Sequence, residues 1–221
     1  MFQYRYPHPA VTTDIVLFTV ADGNLLILLI ERKHEPEKGK WALPGGFLEI
    51  DEELDACVMR ELEEETGVSG IYLEQLHTFG NVNRDPRERV ITVAHLAIIP
   101  AEKSALNAGS DAQSAGWFSI FHLPDLAFDH NTIISMACGR LITKLDYTNI
   151  AMQFMPEEFT LRELQEVYEI ILERRIDKRN FRKSILALDC IVESGMVRRN
   201  GTHRPAKLYR LKQPGKVITY K

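Results

Sequence analysis

The sequence predicts an α/β protein with a smaller helical unit attached on its C-terminal side. Three observations carry this. Residues 1–148 alternate β-prone apolar runs with two helical stretches, residues 149–221 read as two helices and a hairpin, and the charge divides at the same place. Residues 1–150 hold 12 Lys/Arg against 22 Asp/Glu, a net of −10, whereas residues 151–221 hold 15 against 9, a net of +6. Two domains, 1–148 and 149–221, are the economical expectation, and 45% hydrophobic content supplies a core for each.

Residues 14–20 and 24–32 are β-prone runs joined at Asp22-Gly23, a hairpin signal. Trp41-Ala42-Leu43-Pro44 leads into Gly45-Gly46, a double-glycine turn where backbone can come close to a metal or phosphate. Asp51, Glu52 and Glu53 then place negative charge where a helix N-terminus favours it. The stretch to Thr66 holds no Gly or Pro, and Gly67 supplies a left-handed stop. Residues 72–79 and 90–99 are further strands, and 117–120 is a short one after the turn-rich segment 107–116. Residues 130–147 have helical periodicity with Asp129 as N-cap.

In the second unit Thr160 caps a helix over 161–172, with Leu161, Leu164, Val167, Tyr168 and Ile171 at helical spacing. Asp177 caps a second helix over 178–188, whose outer positions Lys178, Arg179, Arg182 and Lys183 alternate with Phe181, Ile185 and Leu186. Residues 196–210 form two short strands around an Asn200-Gly201 turn. Helix, turn, basic helix and basic hairpin describe a winged helix. From Arg174 onward 14 basic residues face 3 acidic ones, the footprint of a chain that meets polyanions. Double-stranded DNA is the expected partner, with the basic helix in the major groove and Arg198, Arg199, Arg204 and Lys207 along phosphates. The alternative is a dimerisation or packing domain with a charged exterior.

Residues 46–68 read Gly46-x5-Glu52-x7-Arg60-Glu61-Leu62-x-Glu64-Glu65-x-Gly67-Val68. At about 100° per residue, Glu61, Glu64 and Glu65 share one sector of the helix, while Val58, Met59 and Leu62 occupy the neighbouring one and anchor it in a core. Crowded carboxylates repel and call for a cation. Oxygen donors without a Cys or His pair suit Mg²⁺ or Mn²⁺ rather than zinc or copper. Arg60 can pair with a carboxylate and fix its rotamer. A solvated acidic face is the alternative reading of any Glu-rich helix, but it needs neither the glycines nor the Arg at fixed offsets; Glu63 points to solvent.

At every specified position these residues match the Nudix box, so the first unit resembles the Nudix hydrolases. The resemblance implies an α/β/α sandwich with a mixed sheet and Mg²⁺- or Mn²⁺-dependent hydrolysis of a nucleoside diphosphate linked to another moiety. It also implies that Glu61, Glu64 and Glu65 bind metal, Glu52 assists, Arg60 orients them, and Gly46 lends backbone near the metal. Water activated by the metal would attack a pyrophosphate phosphorus, with one carboxylate taking the proton. The base stays open, since the family also places it outside the box, where Glu88 or Glu102 could serve.

Between two strands lies Asn83-Arg84-Asp85-Pro86-Arg87-Glu88-Arg89. Arginine forks suit phosphate, although a solvated hairpin tip has similar composition. Followed by Val90-Ile91-Thr92-Val93-Ala94-His95, this loop is similar to the Nudix subgroup that handles ADP-ribose. That subgroup includes pyrophosphatases and transcriptional regulators of NAD or sugar metabolism, with a C-terminal winged helix in both. The resemblance implies that Arg84, Arg87 and Arg89, with Arg32 on the second strand, contact the diphosphate or ribose, and that the chain forms a homodimer. An intact box ranks a hydrolase cleaving ADP-ribose to AMP and ribose 5-phosphate ahead of a DNA-binding regulator that senses ADP-ribose or a sugar derivative.

Cys57, Cys138 and Cys190 have no metal-ligand spacing and an odd count, which fits reduced thiols in a cytoplasmic protein. No apolar stretch reaches about 18 residues, so no membrane span is expected. His95 and His130 read as packing and capping residues.

Overall fold

A computed structural model describes residues 4–67, 71–105, 114–199 and 205–220, without the side chains of Glu65 and Thr66. Val68, Arg204, the Asn200-Gly201 turn and residues 107–113 lie outside the described residues. Six strands form one sheet: β1 (Ala10–Ala21), β2 (Asn24–Glu31), β3 (Trp41–Ala42), β4 (Tyr72–Phe79), β5 (Val90–Ile98) and β6 (Ala115–Ser119). Its order is β3-β2-β1-β5-β4, with β6 also paired to β2. The pair β1–β5 is parallel, and the others are antiparallel, so the sheet is mixed as expected. The two-residue strand β3 falls below what sequence periodicity can register.

Side-chain alternation along β1 and β5 sends apolar residues to both faces, as a sheet covered on each side requires. Ile15, Leu17 and Ala97 meet Val58 and Leu62 of α1 (Leu54–Thr66) on one face. Val16, Phe18, Leu96 and Ile98 meet Ile133, Ala137 and Leu141 of α2 (His130–Leu145) on the other. Val58 and Leu62 are fully buried, and each contributes about 1.5–3 kcal/mol by leaving water. Cys57 joins them, while Met59 is only half-buried. Gly67 ends α1 at φ 72°, with its N–H returned to the Glu63 carbonyl.

The C-terminal unit comprises α3 (Leu161–Leu172), α4 (Lys178–Ala187), β7 (Ile191–Arg198) and β8 (Ala206–Leu211). Thr160 and Glu163 form a capping box: the Glu163 N–H donates to Thr160 Oγ1 at 3.1 Å and the Thr160 N–H to Glu163 Oε2 at 2.7 Å. Asp177 caps α4 through the Asn180 N–H at 2.8 Å. The wing pairs antiparallel, and β7 begins five residues before the predicted start of the hairpin. A bulge between Glu193 and Val197, with Gly195 at φ 83°, breaks the alternation that would have revealed it.

The two units share one apolar core. Ile150, Ala151, Met152 and Phe154 form a buried 3₁₀ turn in the same cluster as Val16 and Phe18 of β1 and Leu164 and Tyr168 of α3. Asn149, also buried, accepts the Ile218 N–H on Oδ1 at 2.7 Å, and Tyr220 donates to the Thr148 carbonyl. The junction is packed rather than tethered. Among the described residues no helix is long and apolar enough to cross a membrane, and the three cysteines are unpaired.

Candidate functional site

The glycine-rich segment after β3 runs antiparallel beside the first half of β1. Ile15 N–H donates to the Pro44 carbonyl, Thr13 N–H to that of Gly46, and Leu48 N–H to that of Val11, each at 2.9 Å. Gly45 adopts φ 151°, and a Cβ there would stand 2.0 Å from the Thr13 carbonyl oxygen. At Gly46 a Cβ would lie 2.1 Å from Glu61 Oε1. Gly45 is thus required by close approach to the strand backbone, whereas a side chain at Gly46 would displace the carboxylate of Glu61.

Arg60 collects the box carboxylates. Its Nε and Nη2 donate to the two oxygens of Glu52 at 2.8 and 2.9 Å, and its Nη1 reaches Glu61 Oε1 at 2.8 Å and Glu64 Oε2 at 3.3 Å. The bidentate fork holds Glu52 at a pKa of about 2, against an ordinary 4.5. Burial, opposed by Arg60, pushes Glu61 upward instead, because its side chain is 13% exposed beside Val58 and Leu62. Glu64 is exposed and so is Glu63, as the helical wheel predicts. The all-oxygen donor set and the Gly46–Glu61 contact fit a hard divalent cation in chemistry. Among the described residues no three carboxylate, His or Cys side chains converge at metal-binding spacing, and the Glu65 side chain falls outside them.

The predicted arginines divide. Arg84 is buried: its Nη2 donates to Asp14 Oδ2 at 3.2 Å and Asp129 Oδ1 at 2.8 Å, and its Nε to Asp129 Oδ2 at 3.1 Å. It ties the loop to β1 and to the start of α2 rather than presenting its guanidinium to solvent. Asp129 does occupy the N-cap position of α2, yet its carboxylate goes to Arg84 and makes no cap bond. Arg89 folds back on the carbonyls of Gly80, Asn81 and Val90. Arg87 is 39% exposed, held by Asp85 through bonds of 3.0 and 2.7 Å that draw the Asp85 pKa down. Its guanidinium carbon lies 5.3 Å from the centre of the Phe47 ring and 5.8 Å from that of Phe128. Arg32, from the end of β2, stands 4.7 Å over Phe128.

His130 closes the floor. The Leu43 N–H donates to its Nδ1 at 2.9 Å, and its Nε2 faces Asp14 Oδ1 at 3.6 Å. Because Nδ1 accepts the Leu43 N–H it carries no proton, which leaves a neutral ring protonated on Nε2, and burial lowers its pKa in the same direction. The packing role expected of His130 holds, but it sits beneath the site. Asp14, Phe47, Phe128 and Asp129 carried no sequence signal of a site, save that an acid inside the apolar run of β1 is itself unusual. His95 is buried with its pKa lowered by burial.

Glu88 and Glu102 lie at opposite ends of β5. Glu88 precedes Val90, beside the box loop, whereas Glu102 follows Ile98, about 25 Å along the strand. Glu102 lines a cavity of about 900 Å³ between the two units instead.

On the winged helix Lys178, Arg179, Arg182 and Lys183 are all exposed along α4. Arg199 is exposed on the wing. Arg198 is engaged, donating to Glu163 Oε1 at 2.5 Å and to the Glu158 carbonyl at 3.1 Å, which fastens the wing to the start of α3. Lys207 pairs with Glu193 at 2.8 and 2.9 Å. A groove of about 1070 Å³ lies between α4 and the wing, bordered by Lys178, Arg182, Val197 and Lys207.

Residues 8–135 match the NUDIX domain family, and residues 151–211 match the NrtR DNA-binding winged helix domain. The chain is 41% identical over 209 residues to the ADPR responsive transcriptional repressor NtrR of Acinetobacter baylyi, covering 93% of this chain and 83% of that one. It is 43% identical over 134 residues to the ADP-ribose pyrophosphatase of Methanocaldococcus jannaschii, covering 60% and 75%. Its fold matches the crystal structure of Shewanella oneidensis NrtR complexed with a 27mer DNA at a TM-score of 0.82 and 38% identity, over 91% and 93% of the two chains. The NUDIX domain of that same protein, cocrystallised with ADP ribose, matches at a TM-score of 0.57 and 37% identity, over 62% and 90%. With a Nudix domain at one end and the winged helix domain of NrtR at the other, the chain belongs to the Nudix family and to its NrtR-type branch.

Proposed function

We propose that this protein is a DNA-binding transcriptional repressor whose Nudix domain senses ADP-ribose. The observation that carries the reading is the exposed basic face of α4 in a winged helix packed onto the Nudix core. Similarity to a repressor over 93% of the chain supports it, whereas similarity to the pyrophosphatase spans the Nudix part alone. This reverses the order that the intact box suggested by itself. The chain divides at 148/149, and Lys178, Arg179, Arg182 and Lys183 enter the major groove while Arg199 and Arg204 reach phosphates. Arg198 and Lys207 act on DNA through the wing they brace. A homodimer reads two half-sites one helical turn apart.

In the Nudix domain Arg32 and Arg87 receive the diphosphate of ADP-ribose, while Arg84 and Arg89 hold the loop that presents Arg87. Glu61, Glu64, Glu65 and the Gly46 carbonyl would hold Mg²⁺ or Mn²⁺, which when bound neutralises charge on the diphosphate and lowers the pKa of water. Arg60 and Glu52 orient these carboxylates. Hydrolysis of ADP-ribose to AMP and ribose 5-phosphate is the second reading, favoured by the complete box and by the Glu61–Arg60–Glu52 arrangement.

The test begins with duplexes selected by the full chain from a random pool, followed by anisotropy titration of the winner with and without ADP-ribose. Nanomolar binding released by ADP-ribose is expected. Failure to select any sequence at moderate salt refutes the repressor. Incubation with ADP-ribose and Mg²⁺, read by nucleotide chromatography, separates the readings: AMP release lost in Glu64→Gln supports hydrolysis, and binding without turnover leaves a sensor.

A further inference from the structure

Phe128 is held in a conformation that an aromatic residue avoids. Its φ is 52°, in the left-handed region where a Cβ crowds the backbone, and no glycine relieves it. The backbone on both sides is pinned. Ala127 N–H donates to the Trp41 carbonyl at 2.8 Å, His130 N–H to that of Ala127 at 3.3 Å, and the Asp129 carboxylate is gripped by Arg84. The ring is half-buried, packed on the small cluster of Ile30, Ala42 and Ala127 with its centre 5.6 Å from that of the His130 ring. Two guanidiniums stand over it, those of Arg32 at 4.7 Å and Arg87 at 5.8 Å from its centre. Arg87 in turn contacts Phe47 at 5.3 Å. Four separate segments therefore contribute to one alternation of rings and cations above the buried Asp14–Arg84–Asp129 cluster.

Two cations gathered on one ring repel each other, and the ring faces offset part of that cost. Further bonds set each fork: Arg32 donates to the Pro36 carbonyl at 3.1 Å, and Arg87 is braced by Asp85. An anion with two adjacent charged groups would stabilise such a pair most, because each fork could take one group. We propose that Phe128 is a positioning residue that aims Arg32 and Arg87 at the two phosphates of a nucleoside diphosphate. The inference rests on the ADP-ribose reading above and names the residue that shapes that site. The pinned left-handed backbone at Phe128 fixes a ring that touches the Ile30, Ala42 and Ala127 cluster and still meets both cations.

Calorimetric titration of the full chain with ADP-ribose, ADP, AMP, adenosine and inorganic pyrophosphate tests this. Phe128→Leu removes the ring faces at similar size, Phe128→Gly also relieves the backbone, and Phe128→Tyr restores the ring. The expected result is a loss of about tenfold for ADP-ribose and ADP in both Leu and Gly variants, from two ring–cation contacts. AMP should lose about threefold or less, adenosine nothing, and the Tyr variant should bind like wild type, with unliganded DNA affinity unchanged throughout. Equal losses for adenosine and ADP would assign the ring to base stacking and overturn the proposal, as would wild-type affinity in Phe128→Leu. If the wild type binds pyrophosphate but not ADP-ribose, the ADP-ribose reading falls while the same variants decide the role of Phe128 on pyrophosphate. Binding of neither overturns both.

Discussion

Replacing Arg84 by Ala removes a guanidinium that is 5% exposed and donates three bonds, at 3.2, 3.1 and 2.8 Å, to Asp14 and Asp129. Asp14, at 11% exposure, loses its cation in a poorly hydrated place, where His130 Nε2 at 3.6 Å offers little compensation. Breaking a buried pair from one side costs about 3–5 kcal/mol because the remaining charge is stranded. Asp129 is 23% exposed and recovers some hydration, so the lower end, about 3 kcal/mol, applies. For a chain of this size that lowers Tm by roughly 6–12 °C. Differential scanning calorimetry at pH 7 measures it, with Arg84→Met as a partner that keeps the aliphatic volume and should lose nearly as much. Adding Asp14→Asn and Asp129→Asn to Arg84→Met should recover most of the loss. A fall below about 2 °C for Arg84→Ala, or no recovery in the triple variant, refutes the assignment of Arg84 as the charge that holds this cluster together.

Gly46→Ala brings a methyl to 2.1 Å from Glu61 Oε1, so the carboxylate must turn out of its bond with Arg60. Mn²⁺ affinity should fall about 10–100-fold, read by titration, while affinity for DNA without ligand stays unchanged. The Arg60 fork depresses Glu52 to about 2, so its stabilisation is complete above the ordinary 4.5 and disappears as pH falls toward 2. The difference in urea midpoint between wild type and Glu52→Gln should accordingly be flat from pH 7 to 5 and shrink below 4.5. On the winged helix, Arg199→Ala should lower DNA affinity and reduce the salt slope by about 1, since it removes one phosphate contact. Arg198→Ala should lower Tm as well, because Arg198 fastens the wing to Glu163 and the Glu158 carbonyl. Thr160→Ala, which breaks the capping box of α3, should cost about 1 kcal/mol, measured by chemical denaturation.

Local chemistry made much of this protein legible from its residues. The 3.6-residue period of α1 placed Glu61 and Glu64 beside Val58 and Leu62, and the loop glycines announced close approach before any partner was known. Caps at Thr160 and Asp177 fell where the sequence put them, since a cap depends on three or four neighbouring residues. The loop arginines were found as a group but could not be told apart. Arg84 turns inward because Asp14 and Asp129, 70 and 45 residues away, meet it, while Arg87 stays outward with its own neighbour Asp85.

Sequence alone determined the box, its acidic helix, the helix-turn-helix with its basic face and the charge contrast between the halves. Each of these rests on residues a few positions apart, where backbone geometry converts spacing directly into arrangement. The tertiary structure alone decided which carboxylates Arg60 gathers, that Phe128 meets both Arg32 and Arg87, and that the two halves share one core through Ile150–Phe154. Those contacts join segments far apart along the chain, and no local pattern encodes a meeting that only the closing of the sheet and the docking of α2 and α3 bring about.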